Sequence, residues 1–226
     1  MTTPGPFGES VDFLSLLSEI HRLRLLEGST KAEYPAGTVV FGSDGAERAF
    51  LLDRGFVRVF WSVPDGRQAT VAYLQSGELI GGTTIVAHSP RTICQVVVDS
   101  TLTTLELETV RRLTANHIEV AGAVAKHLAI VVRNAFRLIA VRSLGNIAER
   151  TAYDLLERAC RSQLVVGRLE VRATHADLAD SIGSSREVVS RALRRLRTLE
   201  IVETAPGLVR VTDPERLVAV VRAFVI

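Results

Sequence analysis

The spacing of hydrophobic residues changes twice along the chain and divides it into three parts. In the first part, residues 34–107, short apolar runs alternate with turn residues, which predicts strands. The predicted strands are 39–41, 49–52, 56–61, 70–74, 93–98 and 103–107. The turn signals between them include Asp44-Gly45, 53–55, Asp65-Gly66 and Ser76-Gly77. Strands at this spacing predict a small β-barrel or sandwich.

From Asn116 the spacing is that of one long helix, and Asn116 with Glu119 predicts a capping box at its start. One apolar row has the alternating three- and four-residue spacing of a coiled-coil seam: Ala121, Val124, Leu128, Val131, Ala135 and Leu138. A second row can cover the chain's own β-domain: Ile118, Ala125, Ala129, Val132, Phe136 and Ile139. The first row predicts that two copies pair along this helix; the alternative is a helix buried within one subunit.

The third part predicts two short helices around a tight turn, in residues 174–199, THADLADSIGSSREVVSRALRRLRTL. Thr174 with Asp177 predicts the start of the first helix at His175, and Gly183 predicts its end. Ser185 predicts the cap of the second helix, whose buried stripe is Val189, Ala192, Leu193, Leu196 and Leu199. This is the pattern of a helix-turn-helix. Two β-rich runs, 201–202 and 208–211, then predict a hairpin wing, and Pro214 a terminal helix over 215–225.

Polar side chains on the second helix are suited to reading DNA. The first turn and a half of such a helix meets base edges in the major groove. Arginine can donate two hydrogen bonds to guanine, and glutamate can accept one from cytosine. The arginines further along would meet phosphates. The candidate DNA-binding residues are Thr174, Ser185, Arg186, Glu187, Ser190, Arg191, Arg194 and Arg195. The alternative is a solvent-exposed amphipathic helix.

Composition narrows the class of protein. The 226 residues, 47% hydrophobic and 23% charged, are typical of a globular protein of one or two domains. A net charge of +2 means that nucleic-acid binding would rest on local clustering of arginine. We find no signal peptide, bilayer-spanning stretch or catalytic motif, so we expect a cytoplasmic protein, not an enzyme, with no membrane partner. Cys94 and Cys160 lie far apart, so we expect neither a disulfide framework nor a metal site.

Five segments of the sequence carry a resemblance to a known family. The segments YPAGTVVF (34–41), AFLLDRGFVRVF (49–60), DGR (65–67) and SGELIG (76–81) resemble turns of a cyclic-nucleotide-binding β-roll. SSREVVSRAL (184–193) resembles a recognition helix, and in this order the five segments resemble the CRP/FNR family of bacterial transcription regulators. The resemblance implies an α+β fold: a β-roll effector domain over 1–115, a dimerisation helix and hinge over 116–145, and a winged helix-turn-helix domain over 146–226. Asn146 and Glu149 predict a new helix after the hinge.

The resemblance also implies how the chain works. It implies a homodimer that binds a palindromic double-stranded DNA site, with RNA polymerase as a further partner. Arg186, Glu187 and Arg191 match the base readers of the cAMP-receptor branch, whereas Glu187, Ser190 and Arg191 match those of the FNR branch. Half-sites like TGTGA and like TTGAT are therefore both open. A further alternative is a β-roll module that acts through a protein partner.

The effector site departs from the family pattern. Gly82 stands where cAMP-binding members have a ribose-binding glutamate, and Val131 and Val132 stand where they have paired hydroxyl residues. Arg91 and Thr92 match the phosphate-binding pair. The candidate ligand-binding residues are Gly81, Gly82, Arg91, Thr92, Val131, Val132 and Ala135. We expect a pocket not tuned to cAMP, because nucleotide polar groups without partners are costly to bury. cAMP, another small effector and no effector all stay open.

Overall fold

The computed structural model describes residues 4–5, 8–42, 47–62, 68–87 and 92–222. The chain forms two compact units, whose main parts are Glu9–Asn134 and Ala135–Ile226, and each is described by itself. Near the N-terminus, β1 (Pro4–Gly5) and β2 (Gly8–Glu9) form a two-stranded sheet.

The first unit is built around an antiparallel sheet with the strand order β3-β8-β5-β6, in which β4 also pairs with β8 and β7 with β5. Its strands are β3 (Thr30–Tyr34), β4 (Val39–Phe41), β5 (Ala49–Ser62), β6 (Gln68–Gln75), β7 (Leu79–Ile80) and β8 (Thr92–Leu105). Its helices are a short 3₁₀ helix (Leu14–Leu16), α1 (Glu19–Leu25), α2 (Gly82–Val86), α3 (Leu107–Asn116) and most of α4 (Ile118–Leu144). The predicted β-rich domain is confirmed.

Two pairs of predicted strands are continuous in the structure. The predicted strands 49–52 and 56–61 are both part of β5, and 93–98 and 103–107 are both covered by β8, apart from residues 106–107. The β5–β8 register shifts between Leu52 and Val57, and Gly55 lies in this irregular stretch with φ of 116°. A Cβ on Gly55 would lie 2.1 Å from Ser100 Oγ, so glycine is required by close packing. The signals Asp44-Gly45 and Asp65-Gly66 lie outside the described residues.

The predicted capping box at Asn116 is wrong. Asn116 is the last residue of α3, and its side-chain amide donates to the Arg112 carbonyl at 2.8 Å. The Glu119 carboxylate accepts hydrogen bonds from the backbone and hydroxyl of Ser18 and contacts His21 Nδ1 at 2.6 Å. Tertiary contacts to residues about a hundred positions away therefore replace the local cap.

The row of α4 predicted to cover the β-domain is the exposed one, and members of the predicted pairing row pack inside the chain. Val124, from the predicted pairing row, is buried in an apolar cluster with Phe13 and Leu79, and Leu128 packs against that cluster. Val131 packs against a second cluster inside the sheet. The row predicted to cover the β-domain is exposed instead, with Ile118 at 92% and Phe136 at 66% exposure.

The second unit is a helical domain with a three-stranded antiparallel sheet of order β10-β11-β9. Its elements are α5 (Ile147–Val166), β9 (Glu170–Arg172), α6 (His175–Ile182), α7 (Arg186–Thr198), β10 (Val202–Ala205), β11 (Leu208–Val211) and α8 (Pro214–Arg222). The capping box of Asn146 and Glu149 is confirmed at the start of α5, which packs against α6, α7 and α8. The hairpin is confirmed and β9, which was not predicted, extends it. The predicted end of α8 at residue 225 lies outside the described residues.

Candidate functional site

The turn between α6 and α7 is held by local hydrogen bonds. The Thr174 hydroxyl accepts from the Asp177 backbone at 3.2 Å, and Asp177 accepts from the Thr174 backbone at 2.8 Å, which lowers the pKa of Asp177. Gly183 has the left-handed φ of 63°, and the next amide, of Ser184, donates to the Ala179 carbonyl at 2.9 Å. The helix-turn-helix that the sequence predicts is therefore present with both of its predicted turn signals in place.

The second helix of the motif, α7, begins at the predicted cap. Ser185 Oγ accepts from the Val188 backbone at 3.5 Å. The pKa of Glu187 is lowered, because its carboxylate accepts from its own backbone amide and from the Ser185 hydroxyl. Glu187 is thus ionised at neutral pH and is available as a hydrogen-bond acceptor at the exposed start of the helix.

The two faces of α7 differ sharply in burial. Val189, Ala192, Leu193 and Leu196 are buried, as predicted, whereas Leu199 is 40% exposed because the helix ends at Thr198. The opposite face is polar: Arg186, Glu187, Arg191, Arg194, Arg195 and Arg197 are exposed. Five arginines and one acid on a helix of 13 residues make a strongly positive surface suited to a phosphate backbone. Thr174 and Ser185 are also exposed, and Ser190 is half-buried.

One further residue belongs to this surface and was not among the predicted DNA-binding residues. His175, the first residue of α6, lies with Nδ1 2.8 Å from Ser190 Oγ on α7. The sequence contains no spacing rule that pairs residues 15 positions apart across the turn, so only the fold brings them together. Ser190 Oγ also donates to the Arg186 carbonyl at 2.8 Å.

Two of the candidate effector residues, Gly81 and Gly82, lie in the first unit, where α2 meets α4. Gly81 caps α2 with φ of 79°, and a Cβ there would lie 2.3 Å from the Arg48 carbonyl oxygen, so this position requires glycine. Gly82 is the buried first residue of α2. A Cβ on Gly82 would lie 3.2 Å from Leu128 Cδ2 and 3.4 Å from His127 Cδ2. Side chains of α4 therefore occupy the space next to Gly82.

The other candidate effector residues are dispersed. Val131 faces the apolar cluster inside the sheet, whereas Val132 is 50% exposed on the opposite row of α4. Thr92 is half-buried at the start of β8, opposite Trp61, and Ala135 is half-buried. Arg91 lies outside the described residues. Of the predicted set, the structure brings Gly81 and Gly82 together at α2 and places Val131 alone toward the interior of the β-domain.

His127 is a buried imidazole beside this region. It is 1% exposed, its ring meets Phe13 edge-on at 6.1 Å between centroids, and burial lowers its pKa to about 4. A hydrogen bond to the Leu79 backbone opposes that shift, and Nδ1 has no hydrogen-bond partner among the described residues. The ring is therefore neutral at neutral pH.

The described residues also bear on three other features: disulfides, metal sites and membrane-spanning helices. Cys94 and Cys160 are both buried and neither is part of a disulfide, and burial raises the pKa of Cys94. Over the same ranges, His, Cys, Asp and Glu side chains form no group of three that could hold a metal ion. None of the described helices combines the length and apolar character needed to cross a membrane.

Comparison with known proteins agrees with this architecture. The family model for the cyclic nucleotide-binding domain matches residues 31–117, and that for the Crp-like helix-turn-helix domain matches residues 149–220. The chain is 32% identical over 182 residues to the cyclic AMP receptor protein of Thermus thermophilus, a match that covers 80% of this chain and 82% of that protein. The chain belongs to the CRP/FNR family of transcription regulators.

Two more CRP/FNR proteins illustrate the range of similarity. The CRP-like cAMP-activated global transcriptional regulator of Mycobacterium tuberculosis is 24% identical over 190 residues, which cover 82% of this chain and 85% of that protein. A solved structure of a CRP/FNR regulator from Eubacterium rectale has a TM-score of 0.60 at 20% identity, over 93% of this chain and 98% of that one. The fold is therefore similar even where only 20% of the residues are identical.

Proposed function

We propose that this CRP/FNR regulator binds a palindromic DNA site as a homodimer, with α7 of each subunit in the major groove. The observation that carries the proposal is the exposed N-terminal half of α7, where Arg186, Glu187 and Arg191 are all exposed beside a buried apolar stripe. These side chains match the hydrogen-bonding groups of guanine and cytosine in the major groove. Thr174, Ser185, Arg194 and Arg195 are exposed around them and would contact phosphates.

The exposed row of α4 supports pairing of two copies. Its members within the first unit are Ile118, Ala125, Ala129 and Val132, all exposed although none is charged or polar. Apolar side chains in a continuous row along one helix gain free energy when a second copy covers them. A twofold dimer would present two α7 helices to half-sites about one turn of DNA apart. Pairing through this row replaces pairing through the predicted seam.

The remaining partners follow from this role. We expect a regulator of this kind to act in the cytoplasm, where it meets DNA and RNA polymerase, and to work by binding and not by catalysis. Its relatives in the comparisons are named as transcription regulators. Whether transcription rises or falls depends on the position of the site relative to the promoter.

The effector pocket, we propose, does not bind cAMP in the manner of the cAMP-binding members. Gly82 supplies no carboxylate for a ribose, and Leu128 and His127 fill the space a longer side chain would need. Val131 presents an apolar surface instead of a hydroxyl. A different, more apolar effector, or no effector, suits these residues better, because unpaired ribose and purine groups would be costly to bury.

The second candidate function is a cAMP-responsive regulator, which the names of the Thermus and Mycobacterium relatives favour. Calorimetric titration of the full chain with cAMP separates the two, with the Thermus cyclic AMP receptor protein titrated as the positive control. We expect no saturable heat at micromolar cAMP for this chain. Saturation in that range would establish the cAMP-responsive function and overturn our proposal for the pocket.

Binding-site selection tests the DNA proposal. The full chain is mixed with random duplex DNA, bound fragments are recovered, and the enriched sequences are read. We expect an inverted repeat whose half-site centres lie about 10 base pairs apart or a multiple of this. Enrichment of no sequence would favour the alternative in which the chain acts through a protein partner.

A further inference from the structure

His175 and Ser190 form a contact between the two helices of the DNA-binding motif. His175 Nδ1 lies 2.8 Å from Ser190 Oγ, and Ser190 Oγ lies 2.8 Å from the Arg186 carbonyl oxygen one turn earlier. His175 is held at the first position of α6, directly after the capped Thr174. Ser190 therefore touches a ring nitrogen on one side and a backbone carbonyl on the other.

Only one arrangement of protons satisfies both contacts. A carbonyl oxygen is an acceptor alone, so the single Ser190 proton must point to Arg186 at that distance. If His175 Nδ1 lacked a proton, two lone pairs would face each other at 2.8 Å. His175 must therefore carry its proton on Nδ1 and donate to Ser190. The hydroxyl has then used its only proton and has one lone pair left.

We propose that His175 is a positioning residue that holds the Ser190 side chain in the orientation in which its proton is donated to the Arg186 carbonyl, so that Ser190 can only accept a hydrogen bond from DNA. This inference rests on the proposed function of α7 as the recognition helix. In the major groove, adenine N6 and cytosine N4 carry donor protons, whereas thymine O4 and guanine O6 only accept. The base that faces Ser190 in each half-site is therefore an amino base, adenine or cytosine, and a keto base there is rejected.

The test uses the full chain and a library in which each position of the selected half-site is varied singly. The wild type should prefer adenine or cytosine over guanine or thymine at one position by roughly three- to tenfold, the value of one hydrogen bond. Ser190→Ala should lose the preference at that position alone. His175→Ala should reduce it to below about twofold, because the Ser190 side chain, no longer held by His175, can turn away from the Arg186 carbonyl and then donate as well as accept.

Two further variants keep the result interpretable. His175→Asn carries an amide N–H close to the place of Nδ1 and should restore the wild-type preference. His21→Ala replaces a histidine of the first unit and should leave the base-preference profile unchanged. Thermal unfolding checks that each variant folds. A Ser190-dependent position that takes guanine or thymine would overturn the inference, as would a wild-type profile in His175→Ala or an alanine-like profile in His175→Asn. Absence of any sequence preference in the wild type would instead reject the proposed function, and the inference with it.

Discussion

A buried neutral histidine links the pH of the solution to the stability of the first unit. His127 lies on α4 and is buried, with a hydrogen bond to the Leu79 backbone. Its pKa in the folded chain is about 4, against 6.5 for the free side chain. Between pH 6.5 and about pH 4, the His127 side chain binds a proton in the unfolded chain but stays neutral in the folded chain. The free energy of unfolding is therefore highest above pH 6.5 and falls as the pH approaches 4.

We predict that His127→Gln removes most of this pH dependence. Between pH 7 and pH 5 the wild type should lose about 2 kcal/mol of unfolding free energy through His127, whereas the variant should lack that loss. Urea unfolding at both pH values measures the difference. The control is Leu128→Ala, which disturbs the same helix without a titrating group and should lower stability equally at both. Equal pH dependence in His127→Gln and the wild type would disprove the assignment.

Single residues also show when local sequence rules work. The same pattern of a polar cap and an acid three residues later occurs at Asn116, Asn146 and Thr174. It predicts the helix starts correctly at Asn146 and Thr174, where the acid has no stronger partner. It fails at Asn116, because Glu119 is engaged by Ser18 and His21 from the N-terminal segment. Contacts of that kind cannot be read from neighbouring residues.

Among the elements, α4 carries the largest difference between prediction and structure. Both of its rows have apolar residues at helical spacing, so the sequence indicates two buried faces without saying which one meets the β-domain. Which row faces the β-domain depends on tertiary packing: Val124 is buried in one apolar cluster of that domain, and Val131 packs against the other. The sequence predicts two strands in place of β5 for a related reason, because Gly55 resembles a turn residue until its close approach to Ser100 is known.

The exposed row of α4 yields a direct prediction about assembly. Val132→Glu places a charge in the proposed dimer interface. It should raise the dissociation constant of the dimer by roughly 10- to 100-fold, since a buried unpaired charge is costly. Sedimentation velocity across a concentration series measures this. Val165→Glu is the matched control, because Val165 is 84% exposed on α5 and the change in side chain is identical. A wild-type monomer, or a Val132→Glu protein that pairs as well as Val165→Glu, would contradict the proposed interface.

At the scale of the whole molecule, the order of motifs was enough to predict the family and the class of fold. Strand runs, a long helix and a capped helix-turn-helix are each local in sequence, and their order along the chain resembles the CRP/FNR pattern. The residues of the proposed DNA-binding surface could be named from the sequence for the same reason, since one helix carries most of them. The candidate effector region was predicted only as a departure from a pattern, because the packing of Gly82 on α2 against Leu128 and His127 on α4 is set by the fold.

The central claim is that α7 reads DNA sequence within a dimer. Its most direct test is the affinity of wild type, Arg186→Ala and Arg191→Ala for the selected inverted repeat and for a scrambled duplex, with the exposed Arg112→Ala on α3 as a charge-matched control. Each α7 variant should lose about 5- to 100-fold in affinity for the repeat, the value of a bidentate base contact, and far less for the scrambled duplex. Folded variants that bind the repeat as tightly as Arg112→Ala would contradict the account.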